Sequence, residues 1–176
     1  PIRTIAGDDE FAEVFLDDVA VPLSNVVGEI DRGWQVATAV LTEERLRIGS
    51  PALALKAMER LRMMLRSRQD ADAGAAVLDR VAECEVAVET LVAAFLGAAE
   101  AAQRGVAADS SYLKVLATDT VHLVLDVTQQ LAGPLAALRA AQRHGNDLLD
   151  FSEMYLQSRR LPIYGGSNEI QRNLIA

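Results

Sequence analysis

From Gly33 onward, apolar residues recur at helical spacing, with Trp34, Ala37, Leu41, Ile48, Leu55, Met58 and Leu65 on one face. Pro51 falls inside this pattern and removes a backbone donor, so Gly49-Ser50-Pro51 is expected to kink the helix or divide it in two. Trp34 reads as a core anchor. Gln69 to Gly74 reads as a turn. A second helix comes next, with a stripe of Val81, Cys84, Val88, Leu91, Phe95 and Ala99, and it ends near Gly105. A third begins at Asp109 or Ser110, both suited to an N-cap, and carries Leu113, Leu116, Thr120, Leu123, Val127 and Leu131 on one face until Gly133-Pro134 stops it. Asp150 to Arg159 predicts a fourth helix. Leu161 to Gly166 predicts a loop whose two glycines suit unusual backbone angles, and Ser167 caps a terminal helix.

Before Gly33 the pattern differs. Phe11 to Val19 mixes β-branched and aromatic residues, and Pro22 and Gly28 punctuate the stretch between Val19 and Gly33, which predicts one or two short strands. So short a pair is unstable alone; it packs on the helices or belongs to a sheet whose other strands lie outside this chain. The helices are joined by short connections, which favours antiparallel neighbours. The expected fold is all-α, an up-and-down four-helix bundle over residues 31–176, with a short N-terminal β remnant in residues 1–30.

Composition supports this reading. Alanine and leucine are abundant while aromatics make up 5%, a balance that favours helix over sheet. In 176 residues, 51% hydrophobic content is enough for a sizeable core and excludes a disordered chain. The net charge is −8 and there is no basic stripe, so a nucleic-acid backbone is not an expected partner. The uncharged stretch Leu91 to Ala99 falls far short of the roughly 20 apolar residues that span a bilayer. Cys84 is the single cysteine, and His122 and His144 are far apart, so neither an internal disulfide nor a metal site is expected. With no signal-peptide pattern at the start, a cytoplasmic setting is the expectation.

Among residues able to carry chemistry, Glu44 stands out because it lies in register with Leu41 and Ile48 on an otherwise apolar stripe. A carboxylate there is costly without a partner or a task. One reading pairs it with Arg45, Arg47 or a neighbouring helix; the other makes it a general base whose pKa is raised by apolar walls. Glu43 points about 100° away and reads as solvated. Tyr164-Gly-Gly-Ser-Asn-Glu169 has the form of a helix N-terminus open to a polar or anionic ligand, while Ser167 as a cap and Glu169 as a dipole partner need no ligand to explain them. Gln129 and Gln130 read as solvated or as an amide presented at a helix end. His122 reads as a partly buried structural residue, and Lys114 and the arginines from Arg60 to Arg68 as solvated faces.

Three stretches together, Phe15 to Pro22, Gly33-Trp34 with Leu41-Thr-Glu-Glu-Arg45, and above all Ile163 to Ala176, resemble the carboxy-terminal half of an acyl-CoA dehydrogenase. The resemblance runs in order from the last strands of the family's middle β domain to its final helix. It implies an FAD-dependent oxidoreductase of fatty-acid β-oxidation. Such an enzyme removes the α-proton of an acyl-CoA thioester, passes a hydride from the β-carbon to the flavin, and delivers electrons to an electron-transferring flavoprotein. In much of the family the catalytic glutamate follows the tyrosine of the last loop, where this chain has Gly165. A second group, including isovaleryl-CoA and long-chain dehydrogenases, takes its base from the first helix of this domain, a pattern that Glu44 before Arg45 matches. By the same resemblance Ser167 and Glu169 contact FAD. Arg45, Tyr164, Gly165 and Gly166 lie on the substrate side, and Gln130 and Gly133 reach the flavin of a neighbouring subunit. Two departures stand out: Pro134 follows Gly133 where paired glycines are usual, and the family's arginine-x-x-phenylalanine-glycine element is missing, since Arg66-Ser-Arg-Gln-Asp70 lacks the Phe-Gly.

The leading expectation is therefore a dehydrogenase with Glu44 as base, working as a homo-oligomer, a dimer or tetramer, or as a heteromer with a paralogue. The alternative is a non-catalytic partner subunit that completes a paralogue's flavin pocket. A flavin oxidase on the same scaffold and a helical interaction module without flavin are further readings. The 176-residue chain alone is expected to be inactive, and acyl chain length and branching are not set by these motifs.

Overall fold

Pro51 divides the first helical stretch. In the computed structural model α1 spans Gly33–Ile48 and α2 spans Ala52–Ser67, and the break is tied by the Ala52 N–H donating to Ser50 Oγ at 3.3 Å. The structure describes residues 1–67, 75–106, 111–138, 142–144 and 147–176, with the side chains of 41–46, 67, 142–144 and 147–149 outside the description. Helix α3 spans Ala75–Gln103 and α4 Ser111–Ala132, and α4 gives way to a 3-10 turn at Gly133–Ala137 where Pro134 cannot continue it. Helices α5 (Phe151–Ser158) and α6 (Asn168–Ile175) complete the chain.

Each observed boundary has a local cause. Gly105, at φ +70°, ends α3, with its N–H bonded to the Ala102 carbonyl and the Val106 N–H to that of Ala101, the paired pattern of a glycine-terminated helix. Asp150 caps α5 by accepting the Glu153 N–H at 2.9 Å. Ser167 caps α6, as expected, by accepting the Ile170 N–H. The expected turn at 69–74 and the caps Asp109 and Ser110 lie outside the described residues.

Helix α4 is the axis of the bundle and packs against all five others. Ala54, Ala57, Met58, Leu61 and Met64 of α2 meet Cys84, Val88 and Leu91 of α3 and Val121, Val124 and Val127 of α4 in one apolar cluster. On α2 the buried residues step by three and four, a face into which Leu55, 45% exposed, does not fall. Met58 of the expected stripe is fully buried and Leu65 packs against the core, so Leu55 is the one expected position on α2 that faces outward.

Three expectations are corrected. Instead of strands before Gly33 there is an isolated antiparallel bridge between Ile2 and Phe11, and Val14, Phe15 and Leu16 are exposed, with no strand assigned to them. Trp34 is 75% exposed and is not a core anchor, because its part of α1 has no apolar surface against it among the described residues. Lys114, expected on a solvated face, is wholly buried. A two-stranded antiparallel hairpin, β1 (Gln142–His144) with β2 (Asp147–Leu149), fills part of the stretch that the hydrophobic pattern leaves unassigned.

Candidate functional site

The path of α5 along α4 determines where the last loop lies. Gln129 Nε2 donates to the Phe151 carbonyl at 2.7 Å, Asp126 lies 3.6 Å from Arg159, and His122 Nε2 lies 2.9 Å from the Ser158 carbonyl. Helix α5 thus runs antiparallel to α4 and hands the chain to a loop near the start of α4. His122 takes the structural part expected of it, and Gln129 is a brace rather than a solvated amide.

That loop closes on itself through the Asn168 N–H, which donates to the Pro162 carbonyl at 2.9 Å. At its apex Gly165 and Gly166 have φ of +65° and +83°, a region that glycine enters without the steric cost of a side chain. A side chain at either position would also have to displace the end of a neighbouring side chain. A Cβ on Gly165 would stand 2.1 Å from Ile48 Cδ1, and one on Gly166 2.5 Å from Gln171 Nε2. The diglycine apex is therefore held between the end of α1 and the first turns of α6, with Gln171 Nε2 donating to the Gly165 carbonyl at 3.3 Å. Ile48 lies one helical turn beyond Glu44, so the two positions share a side of α1. The side chains of Glu44 and Arg45 themselves lie outside the described residues.

Behind the loop, Lys114 Nζ donates to Asn168 Oδ1 at 2.6 Å, and Asn168 is itself 4% exposed. Burial lowers the Lys114 pKa from its ordinary value; the carboxylates of Glu169 and Asp119 oppose that shift and Arg172 adds to it. Glu169 is exposed, and its carboxyl is held below the ordinary carboxylate range by its own backbone N–H and by Ser167. Gln171 is 1% exposed, and its Oε1 has no hydrogen-bond partner among the described residues. Tyr164 is partly exposed, with the Arg160 guanidinium 5.9 Å from its ring centre.

The structure brings together Tyr164, Gly165, Gly166, Ser167 and Glu169 but not Gln130 and Gly133. Both are exposed at the far end of α4 and just beyond it, Gln130 about 24 Å along the helix from Lys114 at 1.5 Å per residue. Lys114, Asn168, Gln171 and Ile48 belong to the site without having been expected there. The signal for Lys114 was present, because it shares a stripe with Ala117, Val121 and Leu125, all buried.

Tyr164 also lines a cavity of about 160 Å³ with Leu53, Leu125 and Leu161, and a second of about 240 Å³ lies between Ile5, Phe11, Leu156 and Ile163. Both are smaller than the roughly 300 Å³ at which small-molecule pockets usually begin. Among the described residues no cluster of histidine, cysteine or carboxylate could hold a metal, and no helix is long and apolar enough to cross a membrane.

Residues 31–176 match the family model described as the acyl-CoA dehydrogenase C-terminal domain. Among curated proteins the chain is 31% identical to acyl-CoA dehydrogenase IpdE1 of Mycolicibacterium smegmatis, over 100% of this chain and 43% of that protein. It is 29% identical to acyl-CoA dehydrogenase FadE26 of Mycobacterium tuberculosis, over 99% and 46% respectively. The chain thus spans less than half the length of these relatives. Among solved structures it resembles a variant of the Tcur3481-Tcur3483 steroid ACAD, with a TM-score of 0.81 at 21% identity over 100% of this chain and 47% of that one. A probable acyl-CoA dehydrogenase of Mycobacterium abscessus gives 0.76 at 22% identity, over 88% and 41%. At these identities the structural likeness establishes the fold.

Proposed function

Because the chain belongs to the acyl-CoA dehydrogenase family, as a C-terminal domain of it, we propose that it is the C-terminal part of an FAD-dependent dehydrogenase that desaturates an acyl-CoA thioester between its α- and β-carbons, with Glu44 as the base. Residues 1–30 are then the end of a preceding β domain. The observation that carries the reading is the packing of Gly165. Its φ of +65° disfavours any side chain next to Tyr164, and a Cβ there would have to displace Ile48 Cδ1, 2.1 Å away, while Glu44 sits one helical turn from Ile48 on the helix against which that glycine packs.

In this reading the Glu44 carboxylate accepts the α-proton: the α C–H bond breaks and an O–H bond forms on the glutamate. The residues fit a flavin. Ser167 and Glu169 sit at the start of α6 beside the Gly165–Gly166 turn, and Gln171 Oε1 is a buried acceptor without a donor among the described residues. When bound, FAD supplies the two-electron acceptor for the β-hydride. Backbone N–H groups of the Gly165–Gly166 turn would stabilise negative charge on the thioester oxygen as the α-proton leaves, with Arg45 and Tyr164 flanking the substrate. The distance between Gln130–Gly133 and this loop suits their service to a neighbouring subunit's flavin, and so an oligomer. An electron-transferring flavoprotein is the proposed acceptor.

The test is an anaerobic titration of the full-length protein with a panel of acyl-CoA thioesters, followed at the oxidised-flavin band. Bleaching in the wild type that is lost in Glu44→Gln is expected; equal bleaching in both refutes Glu44 as base. A second reading, a non-catalytic subunit that completes a paralogue's flavin site, is favoured by the absent Phe-Gly after Arg66. A full-length protein that purifies without flavin, and gains activity only with a paralogue, would select it.

A further inference from the structure

Lys114 stands out because nothing in the chemistry above uses it. Its ammonium is wholly buried against a neutral amide, Asn168 Oδ1, at 2.6 Å. The charges around it are Glu169 and Asp119, which favour the protonated form, and Arg172, which opposes it and lies 3.7 Å from Asp119. For stability alone an apolar side chain of similar length would serve better, since a buried ammonium gives up its hydration for one hydrogen bond to a neutral group. What the lysine does accomplish is geometric. Asn168 is the residue whose N–H closes the loop on the Pro162 carbonyl, so the bond from α4 fixes both ends of the segment that carries Gly165 and Gly166. Gln171 secures the same segment from the other side through the Gly165 carbonyl.

We propose that Lys114 is a positioning residue that pins Asn168 and thereby holds the Gly165–Gly166 turn against the end of α1, in register with Glu44. Its catalytic consequence rests on the function proposed above; the brace itself does not.

The test uses full-length holoenzyme and two readouts, amide hydrogen exchange over residues 162–168 and steady-state kinetics. Lys114→Met should raise the exchange and lower kcat, each about tenfold, with KM changed less than twofold. Asn168→Asp, which keeps an acceptor for the lysine, should stay within about twofold of wild type in both. The double variant Lys114→Met, Asn168→Leu removes both polar partners and should regain thermal stability, as paired apolar replacement does, without regaining exchange protection or kcat. Recovery of kcat together with stability would reduce Lys114 to a structural residue and overturn the proposal, as would unchanged exchange in Lys114→Met. Should Lys114→Met fail to fold, the double variant decides: raised exchange and lowered kcat are expected there, and wild-type exchange and kcat would refute the brace. If the wild-type enzyme turns over no thioester, the function proposed for the site fails, and the exchange readout alone decides the role of Lys114.

Discussion

Replacing Gly165 by alanine tests the packing on which the site is built. Two costs add. A residue with a Cβ at φ +65° loses about 1–2 kcal/mol relative to glycine. The new methyl would also stand 2.1 Å from Ile48 Cδ1, and the shift needed to admit it costs about 1–3 kcal/mol, as overpacking does elsewhere. The sum is about 2–5 kcal/mol. Gly105 provides the control, because its φ is +70° and a Cβ there meets nothing within 4 Å, so Gly105→Ala should show only the conformational cost of about 1–2 kcal/mol. The assay is urea unfolding of the full-length protein, monitored by helical circular dichroism, for the two glycine variants, Ile48→Ala and the double variant Gly165→Ala, Ile48→Ala. Removing the Ile48 side chain should relieve the clash alone, so the pair should be coupled by about 1–3 kcal/mol. Strict additivity, or equal losses for the two glycine variants, would refute the packing of this loop against α1.

Buried groups give two further predictions. Burial pushes the Cys84 thiol up to about 11, so the native protein should not react with a thiol reagent at pH 8 and should react fully once unfolded; rapid native labelling would contradict its place in the core. Lys114 has a folded pKa below its ordinary value of 10.5, so the unfolded state binds more protons between the two values and stability should rise with pH across that window. Lys114→Met should flatten that rise, and an unchanged slope in urea unfolding at several pH values would show that the ammonium is not buried.

Much of the fold was legible because the strongest signals were local. Pro51, Gly105, Gly133-Pro134, Asp150 and Ser167 act within a turn of where they stand, and each marks a boundary in the structure. What failed depended on what lies opposite. Trp34 and the apolar residues from Val14 to Leu16 form a pattern that says which face is apolar without saying what covers it, and among the described residues nothing does. The β1–β2 hairpin was missed because three-residue strands are too short to show alternation. For the site, the glycines and the Ser167 cap were readable, whereas the Lys114–Asn168 bond joins positions 54 residues apart, a pairing that no local pattern encodes.

In the proposed reaction Glu44 takes the α-proton. Its most direct test is the release of deuterium from the α-carbon of a labelled acyl-CoA that bleaches the wild-type flavin, compared between wild-type and Glu44→Gln full-length enzyme at equal flavin content. Release by the wild type and a loss of at least about a hundredfold in the variant are expected; release at the wild-type rate from Glu44→Gln would rule out Glu44 as the base.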